Sequence, residues 1–216
     1  QGWSTSSAGT NALSGATTTT TTDGLNFGTS ANQLATGTIT VSGNVSAGSM
    51  TFDSSSSNIT LSGGNITLGA SSAITMTNSA NTNAITDTIS SNITLGATPT
   101  WTVNNGGSTG TANLDVSGKI LGSSYGLTKA GNGTLPLSGA GNSWNGTTTV
   151  SAGTVNLSGA LNTTGTIRIN GAANPVLNIT GNLTSTKASN PRNFQIAATG
   201  GNTGTVNVSG SGILNT

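Results

Sequence analysis

The chain of 216 residues contains no cysteine, no histidine and no glutamate, and it has only four prolines. Without cysteine, the chain can form no disulfide and carries out no thiol chemistry. The absence of histidine and glutamate as well removes the usual general bases, most metal clusters and the nucleophilic triads. The sequence therefore predicts a protein that is not an enzyme and holds no cofactor or metal.

Charge is almost as scarce as cysteine. Only 4% of the residues are charged, 3% are aromatic, and the formal net charge is +1. The five cations are scattered over the second half of the chain rather than gathered into a stripe, which argues against a nucleic-acid partner. No run approaches the roughly 20 apolar residues of a membrane-spanning helix, so no membrane-spanning segment is expected.

The residues that are abundant are glycine, with 33 positions, and serine, threonine and asparagine. Such a composition is compatible with disorder, because it offers little apolar surface to offset the entropy of ordering. It is also compatible with a repeating fold, in which the few apolar residues recur at a fixed short period. The spacing of the apolar residues decides between the two.

Apolar residues pair at two-residue spacing along most of the chain, with threonine, serine or asparagine between and beside them. This alternation is typical of short strands with one apolar face. The pairs include Ile39 and Val41, Met50 and Phe52, Ile59 and Leu61, Ile66 and Leu68, Ile74 and Met76, Ile93 and Leu95, Trp101 and Val103, Leu114 and Val116, Leu135 and Leu137, Val155 and Leu157, Ile167 and Ile169, Leu177 and Ile179, Phe194 and Ile196, and Val206 and Val208.

The strand signals repeat at a spacing of about 20 residues, a length that indicates the coils of a solenoid. Serine-glycine corners recur at Gly43 and Gly63, and again at Gly118, Gly139 and Gly159. We therefore predict an all-β, right-handed parallel β-helix (β-solenoid) with coils of about 20 residues. Residues 37–216 form its body, and residues 1–36 form a less regular N-terminal segment that serves as a cap or an intersubunit strand.

One stretch, residues 126–155, reads GLTKAGNGTLPLSGAGNSWNGTTTVSAGTV. It resembles the autotransporter-associated β-strand repeat, whose pattern is G-L-x-K-x-G-x-G-x-L-x-L-S-G-x-N-x-Y-x-G-x-T-x-V-x-A-G-T-L. The matching positions include Gly126, Leu127, Lys129, Gly131, Gly133, Leu135, Leu137, Ser138, Gly139, Asn142, Gly146, Thr148, Val150, Ala152, Gly153 and Thr154. Trp144 stands where the family usually has tyrosine, and Pro136 occupies an outward strand position.

The resemblance implies a parallel β-helical passenger of an exported protein. The expected location is extracellular, or on the cell surface of a Gram-negative bacterium, after removal of an export signal. The chain starts at Gln1 without methionine, which a cleaved signal explains and a trimmed chain explains equally well. The resemblance implies no single activity, because this repeat serves as a scaffold in many proteins.

Few residues are candidates for chemistry. The four acids are widely separated in the sequence, and only Asp87, Asp115 and Lys119 have a chance of converging through stacking of the coils. Isolated aspartates are more often turn residues than catalytic groups. Asp53 and Asp115 offer too few charged oxygens for a strong calcium site. The many Asn-x-Ser/Thr sequons, such as those at Asn44, Asn65 and Asn178, are better explained by asparagine ladders stacked inside the turns than by glycosylation.

The two ends of the chain show no obvious capping helix, although solenoids normally protect their terminal strand edges. We therefore expect subunits of a surface filament or matrix to stack head to tail on other copies of the same chain. The expected intersubunit contacts are Trp3, Leu25, Phe27, Ile213 and Leu214. The alternative is a monomeric autotransporter-like adhesin or passenger scaffold that binds glycans or surfaces, through a loop such as residues 187–192.

Overall fold

The computed structural model describes residues 19–28, 36–53, 58–78, 83–106, 110–186 and 193–216, and these contain β-strands but no helix. The strands are β1 (Gly24–Phe27), β2 (Gly37–Asp53), β3 (Ile59–Thr77), β4 (Ile85–Ile89), β5 (Asn92–Thr94), β6 (Thr100–Asn104), β7 (Ala112–Val116), β8 (Ile120–Gly122) and β9 (Leu127–Ala130). They continue as β10 (Thr134–Leu137), β11 (Asn142–Trp144), β12 (Thr148–Leu157), β13 (Ala160–Thr163), β14 (Ile167–Ile179), β15 (Asn182–Ser185), β16 (Phe194–Ile196), β17 (Thr205–Val208) and β18 (Ile213–Asn215).

These strands pair in parallel and form three stacks, so the fold is the predicted parallel β-solenoid. We number the three faces, and we call one level through all three a rung; the rungs are numbered in chain order, so that residues 24–27 belong to rung 1 and residues 194–196 to rung 8. Face 1 stacks residues 24–27, 49–53, 73–77, 100–104, 127–130, 148–150, 167–169 and 194–196. Face 2 stacks 37–41, 59–63, 85–89, 112–116, 134–137, 154–157, 176–179 and 205–208. Face 3 stacks 44–47, 65–68, 92–94, 120–122, 142–144, 160–163, 182–185 and 213–215.

The apolar pairs of the sequence form the core. On face 1, for example, Met50 and Phe52 stack on Ile74 and Met76, and these stack on Trp101 and Val103. All six side chains are buried. Because successive side chains of a strand point to opposite faces, the residues between them face outward, and there they are mostly threonine, serine and asparagine. The core therefore runs as a narrow column along the inside of the rungs.

The stacked coils are roughly 24 residues apart, slightly further than the spacing of the glycine corners predicted. Their length also varies along the chain. The coil that brings Thr148 beside Ile167 is short, whereas the coil that brings Asn182 beside Ile213 is long. The stacked segments keep their register through these changes, because the additional residues lie in the corners between faces.

The first stacked strand lies upstream of residue 37. β1 pairs in parallel with the last part of β2, so that Leu25 lies beside Met50 and Phe27 beside Phe52. The rings of Phe27 and Phe52 are stacked, with their centroids 4.8 Å apart. Residues 24–27 are thus part of the solenoid stack.

Candidate assembly interface and buried ionisable groups

The last rung, formed by β16, β17 and β18, places apolar side chains on the surface. Each of these strands pairs with rung 7 on one edge, and no strand among the described residues pairs with its other edge. Ile196 and Val208 are in register with the buried Ile169 and Ile179, yet they are 48% and 47% exposed. They occupy core positions with no further rung beyond them in the described chain.

The described residues of the last rung carry no charge of their own. Residues 193–216 include no lysine, arginine, aspartate or glutamate. Natural proteins usually blunt an exposed strand edge with charged residues, prolines or bulges, because an unprotected edge is a template for pairing with another strand. The last rung is therefore the best candidate for an interface on the described part of the molecule.

The first rung is different. Its inward side chains Leu25, Phe27, Val41 and Ala47 are buried, with Phe27 only 1% exposed, and Ile39 and Val45 are partly buried. The two ends of the described solenoid therefore present different surfaces. Apolar side chains are exposed at the C-terminal end, while the corresponding side chains at the N-terminal end are buried or partly buried.

The five predicted intersubunit residues lie in different environments. Ile213 is 54% exposed on the last rung, and Leu214 is partly buried against the core next to Leu183. Leu25 and Phe27 belong to the core of the first rung. Trp3 lies outside the described residues, as does the loop 187–192 that was predicted to bind glycans.

The three residues considered for catalysis do not converge. Asp87 is buried inside face 2, where it pairs with Leu114, whereas Asp115 pairs with Thr88 and points to the outer side. Asp115 accepts a hydrogen bond from the hydroxyl of Ser138 at 3.3 Å. Lys119 is exposed at the start of face 3. Among the described residues, no three acidic, histidine or cysteine side chains are grouped to hold a metal ion.

Asp87 is nevertheless an unusual residue, because its carboxyl group is completely buried. One oxygen accepts a hydrogen bond from the backbone N–H of Ile59 at 2.8 Å, and the other has no partner among the described residues. Burial raises the pKa of Asp87 to about 6, and the hydrogen bond from Ile59 opposes the shift. A buried carboxylate with a single donor is costly for the fold.

Lys129 is the second buried ionisable residue, with an exposure of 1%. It lies on the inner side of face 1 between Trp101 and Val150 of the neighbouring rungs. Its Nζ atom donates to the backbone carbonyls of Ala130 at 2.7 Å, Gly131 at 2.8 Å and Ala152 at 3.3 Å. Burial lowers the pKa of Lys129 to about 8.

Sequence reasoning did not assign these two residues to the core, although the signal is present. Asp87 is in phase with Ile85 and Ile89, and Lys129 is in phase with Leu127. With a period of two, residues in phase share a face of the strand, so both side chains point inward. This pattern was overlooked because charged side chains are rarely buried in proteins.

Stacked asparagine ladders are present, but they lie on the strands and not inside the turns as predicted. The amide of Asn65 donates to the side-chain oxygen of Asn44 at 2.9 Å, and Asn92 donates to Asn65 at 3.1 Å. A second ladder on face 2 joins Asn156, Asn178 and Asn207, with both hydrogen bonds at 2.8 Å. The ladders link consecutive rungs through side chains, in addition to the backbone pairing.

The stacks, the ladders and the buried column define the class of the molecule, an all-parallel β-solenoid. Residues 127–157, which span rungs 5 and 6, match the family model of the passenger-associated-transport-repeat, and this confirms the resemblance noted for the sequence. No curated protein and no solved structure matches the chain. The repeat and the fold fit an autotransporter passenger-like domain, and the repeat family suggests an exported surface protein. Within the described residues, no helix is long and apolar enough to cross a membrane.

Proposed function

We propose that this chain is a structural, non-enzymatic β-solenoid of an extracellular or surface protein from a Gram-negative bacterium, exported with a signal that is then removed. Its function is to assemble with other copies of the same chain, and the copies associate through the last rung. The observation that carries the proposal is the edge of β16, β17 and β18, whose residues carry no charge and on which the inward-facing Ile196 and Val208 are exposed.

Backbone pairing favours a further β-strand as the partner of this edge. An added strand continues the hydrogen-bond ladder of each face, while its inward side chains cover the exposed apolar residues. If the added strands belong to the first rung of another copy, the contact is heterologous and repeats into a filament. Leu25 and Phe27 then support the first rung from within, and Ile213 and Leu214 lie at the contact itself.

The experiment is analytical ultracentrifugation and negative-stain electron microscopy of the purified chain over a range of concentrations. We expect association that grows with concentration, and filaments in the micrographs. Val208→Lys places a charge on the edge and is expected to abolish association, whereas Leu121→Lys, at a similarly exposed position on face 3, leaves it unchanged. Dispersed monomers at every concentration contradict assembly, and closed dimers contradict the filament.

An adhesive role is the second candidate, and Tyr125 favours it. Its ring is 36% exposed in the corner between β8 and β9, on a surface with very few aromatic residues. An exposed tyrosine offers an apolar body with a polar tip, which suits a sugar ligand. A glycan array that compares the wild type with Tyr125→Ala and Arg192→Ala tests this role, and no binding by the wild type excludes it for the glycans on the array.

A further inference from the structure

The corners between face 1 and face 2 differ in length from rung to rung. Between the paired segments, the corner has seven residues in rungs 3 and 4 but only three in rungs 5 and 6, namely 131–133 and 151–153. The two tight corners lie inside the segment that matches the repeat family. They also coincide with the shortest coils of the solenoid.

Asparagine side chains of the long corners form hydrogen bonds with the backbone of their own corner and of the corner in the next rung. In rung 3, the amide of Asn78 donates to the carbonyls of Asn83 and Thr111 at 3.1 and 3.2 Å. In rung 4, Asn105 accepts from the N–H of Ala112 at 2.7 Å, and it donates to the carbonyl of Asn132 in the tight corner of rung 5 at 3.2 Å. A corner with several residues has room for a side chain that folds back onto the backbone.

Lys129 supplies further donors to both tight corners, in addition to the bond from Asn105 to Asn132. Its ammonium group reaches Ala130 and Gly131 at the first tight corner and Ala152 at the second. The hydroxyl of Ser151 in turn donates to the carbonyl of Lys129 at 2.8 Å, so the two corners are linked in both directions. A lysine ammonium has three N–H donors, and all three directions are used here.

We propose that Lys129 is an internal clamp for the two tight corners, and that its three N–H donors allow the coils of the repeat to be short. Gly131 lies outside the strands, and its carbonyl has no donor other than Lys129 among the described hydrogen bonds. A carbonyl that is shielded from water and lacks a donor is expensive, so a three-residue corner without the clamp is unfavourable. The role belongs to the donor hydrogens and not to the bulk of the side chain.

The test is Lys129→Met, which keeps a long side chain and removes the donors, with Lys119→Met as the matched control on the exposed face. Amide hydrogen exchange is followed at Gly133 and Thr154, which donate at the two tight corners to the carbonyls of Val103 and Gly133. In Lys129→Met we expect their exchange to be faster by about tenfold or more, and that of Ser117 in rung 4 to change much less. Unchanged exchange at Gly133 and Thr154 overturns the proposal.

Lys129→Gln keeps the proposal testable if the methionine variant does not fold. The glutamine amide is neutral and donates two hydrogens, so we expect this variant to fold and to lose less protection than Lys129→Met. Equal losses in the two variants, including a failure of both to fold, would show that charge or packing matters rather than the donors.

Chemical rescue gives a readout that packing alone does not produce. Lys129→Ala removes the atoms that propylammonium contains, so propylammonium supplies both the lost volume and the lost donors. We expect propylammonium to raise the melting temperature of Lys129→Ala more than that of the wild type. Tetramethylammonium at the same concentration has no N–H donor and serves as the control. An equal effect of the two cations on the variant contradicts the clamp.

Discussion

The ammonium nitrogen of Lys129 lies 3.3 Å from the carbonyl oxygen of Ala152, one coil further along the chain. A charged group from face 1 thus joins two consecutive rungs from inside the core, where no described carboxylate accompanies it. Outside the core, consecutive rungs are joined by neutral hydrogen bonds such as that between Asn178 and Asn156. We therefore expect the stability of the chain to depend on both kinds of polar group, and on pH through the buried ones.

The free energy of unfolding depends on pH through Lys129. Burial lowers its pKa from 10.5 to about 8, so above pH 8 the folded chain has released a proton that the unfolded chain still binds. Stability therefore rises with pH between about 8 and 10.5, by up to about 3 kcal/mol. Urea titrations across this pH range give the free energy of unfolding of the wild type and of Lys129→Met. The effect of Lys129 is the change with pH in the difference between these two free energies. A difference that is independent of pH contradicts the prediction.

Asp87 gives the opposite slope at acidic pH. Its pKa is raised from 3.8 to about 6, so the folded chain retains a proton that the unfolded chain releases, and stability falls as pH rises through this window. We expect Asp87→Asn to remove this loss and to gain up to about 3 kcal/mol relative to the wild type above pH 6. Asp115→Asn, on the outer side of the next rung, is the control. The melting temperatures of both variants are measured at pH 4 and pH 7. The same change in melting temperature for Asp87→Asn and Asp115→Asn argues against a buried Asp87.

In the asparagine ladder of face 2, Asn178 is the middle residue and Asn207 is a terminal residue. Asn178 donates to Asn156 and accepts from Asn207, so Asn178→Ala breaks two hydrogen bonds, whereas Asn207→Ala breaks one. At about 1 kcal/mol for each bond, we expect losses of about 2 and about 1 kcal/mol. Chemical denaturation measures both variants. Equal losses mean that the ladder bonds do not contribute separately.

Alanine substitutions at two glycines distinguish destabilisation by a left-handed backbone conformation from destabilisation by a steric clash of the added Cβ atom. Gly131 has φ 74° and Gly210 has φ 62°, both in the left-handed region. A Cβ atom at Gly131 collides with the carbonyl of Val103 and the side chain of Asn104, while at Gly210 it meets nothing. We expect about 1 kcal/mol of destabilisation for Gly210→Ala and clearly more, about 3 kcal/mol, for Gly131→Ala. Similar melting temperatures for both variants rule out close packing at the tight corner.

Much of the fold could be predicted from the sequence. Ile74 and Met76 are spaced by two residues, as are Trp101 and Val103. This spacing predicts which side of each strand faces the core, because strand side chains alternate between two faces. The repeat motif then indicates that the strands stack in coils. The candidate interface was predictable only in part, since Ile213 and Phe27 both read as apolar residues near an end. Their exposure depends on what packs over each rung, and sequence spacing does not contain that information.

The sequence by itself determined that the chain forms strands, that these repeat, and that histidine, cysteine and glutamate chemistry is absent. Only the tertiary structure decided the coil lengths, because corners of different length leave the register of the stacked strands unchanged. It also decided that Asp87 and Asp115 point in opposite directions and that Lys129 serves the backbone of two coils. These relationships join residues that are far apart in the sequence, and they arise only when the coils are stacked.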